Sequence, residues 1–241
     1  MHNETFYLDG VDAKTVGITL QAPITFSSPD PIVKTEQIEG RNGALIFETG
    51  TYKNRTGRAK CFALRDDVRM SLLEINKFLL SDHGYRRLET SDDPDHFWMA
   101  RIANGADINK RARILAPFEI KFDCKPQMFL REGQYPVEIK SPSGYIYNNY
   151  FYPSKPLIII HGSTDGFLNV SGRNITIKNA IEETYYIDCE SQNVYSGSGN
   201  VNHNKNVEVE TFPSLNSGKN TVFFSGGSCG KIEIIPRWWE L

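Results

Sequence analysis

Gly166-Phe167-Leu168-Asn169-Val170-Ser171-Gly172-Arg173-Asn174-Ile175-Thr176-Ile177-Lys178 carries apolar residues at every second position on both sides of a Ser-Gly pair. Side chains alternate across a strand, so this pattern reads as two half-buried strands, 166–170 and 173–178, joined by a tight turn. The same grammar repeats through residues 135–241. Strands are expected near 137–140, 156–161, 184–189, 206–212, 220–225 and 230–235. Turn clusters such as Ser196-Gly197-Ser198-Gly199-Asn200 and Ser225-Gly226-Gly227-Ser228 separate them. Regular short strands with no helical period predict a β-sandwich or jelly roll.

The chain upstream has a different character. Residues 1–134 hold 19 Lys+Arg and 19 Asp+Glu, against 8 and 10 in residues 135–241, while asparagine rises from 6 to 12. That shift predicts two domains, 1–134 and 135–241, a division ordinary for 241 residues. The first half contains one convincing helix. Asp66 is placed to cap it, and Val68, Leu72, Ile75 and Leu79 fall on one face of a 3.6-residue period. It is expected to stop near His83-Gly84, with Gly84 in a left-handed cap. Strand signals surround it at 44–47, 58–64, 85–90, 97–102 and 116–124, with Glu48-Thr49-Gly50 and Ser91-Asp92-Asp93-Pro94-Asp95 read as turns. The chain is therefore expected to be mostly β, with an α+β first domain of one main helix against an antiparallel sheet.

Charge and motifs exclude several classes of function. A net charge of −2 gives no footprint for nucleic acid or an anionic membrane. The longest apolar run, Pro156-Leu157-Ile158-Ile159-Ile160, is too short to span a bilayer, and the N-terminus has no apolar leader, so folding in a cytoplasm is expected. Cys61, Cys124, Cys189 and Cys229 form no CxxC pair and read as buried reduced thiols. Ser91-Asp92-Asp93-Pro94-Asp95-His96 gathers carboxylates and an imidazole but lacks the glycine and terminal glutamate of a calcium loop, so a solvated turn is the better reading. His2, His83, His161 and His203 stand alone, without a GxSxG or HExxH motif. No catalytic, metal or cofactor site is expected. Tyr145, Tyr147, Tyr150, Phe151 and Tyr152, with Asn148 and Asn149 among them, make an aromatic cluster. Packing or a subunit contact is the favoured reading, and stacking on sugars the alternative.

Taken in order, several segments resemble the distal tail protein (Dit) family of long-tailed siphophages. They are Phe6 to Asp9 with Val16-Gly17-Ile18, Ile38-Glu39-Gly40-Arg41-Asn42-Gly43-Ala44-Leu45, Tyr52-Lys53-Asn54-Arg55, and Phe118-Glu119-Ile120-Lys121-Phe122-Asp123-Cys124-Lys125-Pro126. In the second half they are Ser154 to Gly162, Tyr186-Ile187-Asp188-Cys189-Glu190, Phe212 to Asn220 (with Ser217 where proline is common) and Ile234 to Trp239. The resemblance implies a homohexameric ring closed by an N-terminal belt domain, lying between the tail tube protein and the tail-associated lysin or tail-tip protein. It also implies a galectin-like C-terminal β-sandwich on which receptor-binding proteins dock. A virion-tail protein of this kind, assembled in the host bacterial cytoplasm, needs no enzyme activity, cofactor, nucleic acid or membrane. Edge strands of the opening hairpin are expected to pair between subunits, and Arg41, Asn42, Tyr52, Tyr147 and Tyr150 are the candidate subunit or partner contacts. The alternative function is a carbohydrate-binding module for host cell-wall glycans, although the chain is too short to hold the inserted module of larger relatives.

Overall fold

The computed structural model describes residues 4–63, 68–104, 116–140, 142–162, 165–178, 184–197, 201–226 and 230–241, and the statements below concern these. The chain divides into two compact units, Met1–Met128 together with Leu241, and Phe129–Glu240. No helix is long and apolar enough to cross a membrane. The architecture is mostly β, as the alternation predicts.

The first unit is built on one antiparallel sheet. Its strand order is Val11–Asp12, Phe6–Leu8, Arg86–Thr90, His96–Ile102, Ala116–Leu130, Arg55–Ala63 and Ile18–Leu20, with Thr25–Phe26 also pairing Arg55–Ala63. Strand Arg55–Ala63 buries Ala59, Cys61 and Ala63, every second residue, and its partner Ala116–Leu130 buries Phe118, Ile120, Phe122 and Cys124. The helix, Val68–Leu80, adds Ile75 and Leu79 to the same core, with Leu72 beside them. The Asp66 cap and the Val68 side chain lie outside what is described.

Two local expectations fail for identifiable reasons. The helix stops at Leu80, and Gly84 has no left-handed φ. Instead Asp82 Oδ1 accepts the Gly84 N–H at 2.8 Å, so a local aspartate turn, rather than a glycine cap, turns the chain. Glu48-Thr49-Gly50 is no turn either: one strand runs from Ala44 to Tyr52 through Gly50. Gly50 takes φ 68° where the pairing register with Pro31–Gln37 slips, and the Thr49 hydroxyl donates to the Ile32 carbonyl at 2.9 Å. A glycine with positive φ here makes a bulge and leaves the strand continuous.

The second unit is a two-sheet sandwich. One sheet has the order Val137–Ile139, Lys231–Ile235, Leu157–His161, Thr184–Asp188, Asn193–Ser196 and Val201–Asn202. The other has the order Ser143–Asn148, Gly218–Ser225, Gly166–Val170, Arg173–Ile177 and Val207–Val209. Both contribute to one core: Ile158, Ile160, Tyr185, Ile187 and Ile234 from the first, and Leu168, Val170, Ile175, Val222 and Phe224 from the second. The strand expected at 206–212 shortens to Val207–Val209, and Ser143–Asn148 and Asn193–Ser196 are strands that alternation had not marked.

Candidate functional site

The hairpin formed by Pro31–Gln37 and Ala44–Tyr52 stands apart from every sheet described above. Its strands pair only with each other. The sequence explains why it forms. Gly40 and Gly43 take φ near 80° around the exposed Arg41-Asn42 tip, and the Arg41 N–H donates to the Ile38 carbonyl. Register then fixes the two faces. Lys34 lies opposite Phe47 and Glu36 opposite Leu45 on one face; Val33 lies opposite Glu48 and Thr35 opposite Ile46 on the other. Neither face is covered. Ile46 is 64% exposed and Phe47 51%, with Ile32, Val33 and Ile38 exposed beside them. A lone two-stranded ribbon is at best marginally stable in water, and both of its faces carry apolar side chains mixed with charges.

This element was largely missed by sequence reasoning, which marked only 44–47. Ile32, Val33 and Thr35 in Pro31–Gln37 were the available signal, interrupted by Lys34 and Glu36. In the opening segment Phe6–Leu8 is internal, paired with Val11–Asp12 and Arg86–Thr90, while Val11–Asp12 and Ile18–Leu20 stand at the two ends of the strand order and are the edges expected there.

The candidate contact residues fall in three places. Arg41 and Asn42 occupy the hairpin tip, and Tyr52 is the last residue of its second strand. The aromatic cluster of the second unit splits. Along Ser143–Asn148, Ile146 and Asn148 point into the core while Tyr145 and Tyr147, 60% and 56% exposed, face outward, and Lys219 Nζ sits 4.7 Å over the Tyr145 ring. Tyr150 and Tyr152 turn inward instead. Tyr150 lies 6.3 Å from Trp238 and its hydroxyl donates to Glu132 Oε1; burial, then that carboxylate, push its pKa up. Tyr152 stacks on Trp239 at 4.5 Å. Asn148 is a structural residue: its Nδ2 donates to the Tyr152 and Leu215 carbonyls, and its Oδ1 accepts the Tyr150 N–H.

The other titratable groups are tied into local pairs. His96 Nδ1 lies 2.8 Å from Asp93 Oδ1, and no group of three or more metal-binding side chains occurs among the described residues. His161 Nε2 meets Glu233 Oε2 at 2.6 Å, and Lys231 also reaches Glu233. His203 Nε2 is 2.9 Å from the buried Ser196 hydroxyl, and among the described residues no carboxylate orients that imidazole, as the third member of a hydrolytic triad would. Burial pushes the Cys61, Cys124 and Cys189 thiols up to about 12. Cys229, Ser198, Gly199 and Asn200 lie outside the described residues.

Residues 11–124 match the family described as the phage tail protein RIFT-related domain. No curated protein matches the chain. Its fold through nearly the whole length is that of a Dit protein. The crystal structure of SPP1 Dit (gp 19.1), titled a paradigm of the hub adsorption apparatus in Gram-positive-infecting phages, superposes with a TM-score of 0.71. That match covers 96% of this chain and 97% of the SPP1 protein at 14% identity.

Proposed function

We propose that this chain is the structural distal tail subunit of a siphophage or prophage, forming a homohexameric ring that joins the tail tube to the tail-tip and host-adsorption proteins. The observation that carries the reading is the hairpin Pro31–Gln37/Ala44–Tyr52, a long element with apolar side chains on both faces and no covering partner among the described residues. A second copy supplies such a partner. A hairpin of one subunit laid on the next makes a head-to-tail contact, and a rotation that closes gives a ring. The 19:19 balance of charges in residues 1–134 suits the polar rim of that contact. Arg41, Asn42 and Tyr52 belong to this interface, with Ile46 and Phe47 as its apolar centre.

In this reading residues 1–134 are the belt and residues 135–241 the outward galectin-like module, where a receptor-binding protein docks near Tyr147. The tail tube protein and the tail-associated lysin or tail-tip protein meet the two ends of the ring. The protein joins other proteins and turns over no substrate, in keeping with histidines tied into local pairs and with burial holding three of its cysteine thiols protonated. Mass photometry and negative-stain microscopy of the purified chain test it. The expected particle has six times the 27.3 kDa subunit mass and a central channel. A monomer at every concentration overturns the proposal.

A further inference from the structure

Two asparagines of the chain are followed by glycine, Asn42-Gly43 and Asn104-Gly105, and the fold holds their side chains in opposite ways. Asn104 is locked. Its Nδ2 donates to the Glu119 carbonyl at 3.0 Å, and its Oδ1 accepts the Lys121 N–H at 2.6 Å. Both partners belong to strand Ala116–Leu130, so the amide is fixed at both ends against the sheet. Asn42 is the opposite case. It lies exposed at the hairpin tip, between the turn closed by the Arg41 N–H on the Ile38 carbonyl at 3.1 Å and the first residue of the second strand, Ala44. Its side-chain amide has no hydrogen bond among the described residues.

An asparagine side chain can bring its Cγ onto the peptide nitrogen of the next residue, and bond formation there closes a cyclic imide. A Cβ on that next residue normally crowds the nitrogen. Gly43 has none, takes φ 81°, and nothing lies within 4 Å of where a Cβ would stand. Water and hydroxide therefore reach its N–H. The remaining requirement is a side chain free to turn, which Asn42 has at the end of an uncovered ribbon and Asn104 lacks.

We propose that Asn42 is a self-modification site in the free subunit, converted to aspartate and isoaspartate through attack by the Gly43 backbone nitrogen, and that a second copy covering the hairpin tip stops the reaction. The Gly43 N–H gives its proton to solvent base and the nitrogen bonds to Asn42 Cγ. The Cγ–Nδ2 bond breaks, and the amide leaves as ammonia with a proton from solvent. Water then opens the cyclic imide. Attack at Cγ gives aspartate; attack at the Asn42 main-chain carbonyl carbon gives isoaspartate, with the backbone routed through the side chain. Either product replaces NH by O and adds a negative charge beside Arg41. Isoaspartate also lengthens the backbone by a methylene in the loop whose closing pair is Gln37 opposite Ala44. The chemistry needs a single chain. The protection rests on the ring proposed above, in which Asn42 lies in the contact between subunits.

Peptide mapping of the full chain after prolonged incubation at mildly alkaline pH, with digestion at acidic pH, tests the site. In dissociated subunits carrying Ile46→Glu and Phe47→Glu, Asn42 converts ~10-fold or more faster than Asn104, because the two hydrogen bonds of Asn104 must break before its side chain can turn. In urea the two sites convert at similar rates. Asn42→Gln, whose longer side chain closes the imide poorly, releases no ammonia from the tip. In the wild-type ring Asn42 converts as slowly as Asn104. An intact Asn42 in the dissociated subunits, or equal rates at the two sites in their folded state, overturns the site. Equal conversion of Asn42 in wild type and variant overturns the protection alone. Mass photometry of the same samples then separates the causes: a wild-type hexamer places Asn42 outside the contact, and a wild-type monomer refutes the ring while the site stands.

Discussion

Ala44-Leu45-Ile46-Phe47 and Leu157-Ile158-Ile159-Ile160 are nearly equivalent as strand sequences, yet their fates are opposite. Leu157–His161 is paired on both edges, by Thr184–Asp188 and Lys231–Ile235, and is covered by the second sheet; Ile158 and Ile160 are wholly buried. Ala44–Tyr52 is paired on one edge and covered on neither face, which leaves Ile46 and Phe47 mostly in water. The local chemistry of a strand therefore fixes that it is a strand, and not what it packs against. In the sandwich the chain supplies its own cover. At the hairpin the described residues supply none, and that difference separates a folding core from the surface proposed for assembly.

The largest expected effect tests that separation directly. Ile46→Glu combined with Phe47→Glu places charge at the apolar centre of the hairpin. The assembly falls from hexamer to monomer, a sixfold loss of particle mass by mass photometry, while the melting temperature of the isolated subunit is unchanged. A ring that survives both substitutions moves the interface elsewhere. Next in size is the reciprocal change in the sandwich. Ile160→Ala leaves a cavity at a wholly buried site and costs ~2–5 kcal/mol by urea unfolding, whereas Ile46→Ala, measured on dissociated subunits, stays within ~0.5 kcal/mol. Equal costs at the two positions would erase the distinction between core and surface.

How much of this was legible in the sequence follows from which interactions are local. The helix was, because Leu72, Ile75 and Leu79 signal it within one element and the last two are wholly buried. The sandwich strands were, because period-2 alternation in stretches such as 166–177 is written residue by residue. The full hairpin was not. Gly50 reads the same whether it makes a turn or a bulge, and only the pairing of Thr49 with Ile32 decides. The split of the tyrosine cluster depends on Ser143–Asn148 being a strand, which its glycine and asparagine disguise. The order of the five-stranded sheet was invisible for a different reason: Val207–Val209 joins Arg173–Ile177 only after the chain has crossed to the other sheet and back.

A smaller effect is expected at an ion pair that closes the sandwich. Arg237 donates through Nη1 to Asp188 Oδ1 at 2.7 Å and through Nη2 to Oδ2 at 3.3 Å, from a positive-φ backbone position. Burial alone would raise the Asp188 pKa, but the Arg237 bond and charge, with the Ser191 and Glu190 N–H groups, outweigh it and hold the carboxyl below its ordinary value. A group whose pKa is depressed by folding stabilises the fold above its unfolded value and loses that contribution as pH falls through the folded one. The pair thus contributes fully at neutral pH, and its share disappears on acidification below about 4. Asp188→Asn costs ~1–3 kcal/mol at pH 7, because the partly buried Arg237 is left with only the more distant Glu190 carboxylate, at 3.9 Å, as counter-charge. The variant's loss shrinks as unfolding is repeated at lower pH, and a pH-independent difference sinks the assignment. The hairpin, with its charges in water, shows no comparable loss when Lys34 or Glu48 is neutralised in dissociated subunits.

The smallest effect is an absence of reaction. Cys61 and Cys124 lie in the first unit's core and Cys189 in the second's, and burial raises all three thiols to about 12. At pH 8 only about one such thiol in ten thousand is ionised, and the thiolate is the nucleophile. Iodoacetamide at pH 8 should leave these three positions unlabelled by peptide mapping of the native protein, and label each once urea exposes it. Labelling of Cys189 alone would show the sandwich opening while the first unit stays closed. Labelling of Cys61 and Cys124 alone would show the reverse. The pattern therefore reports, unit by unit, whether a strand that its own chain covers stays covered, which is the property the hairpin lacks.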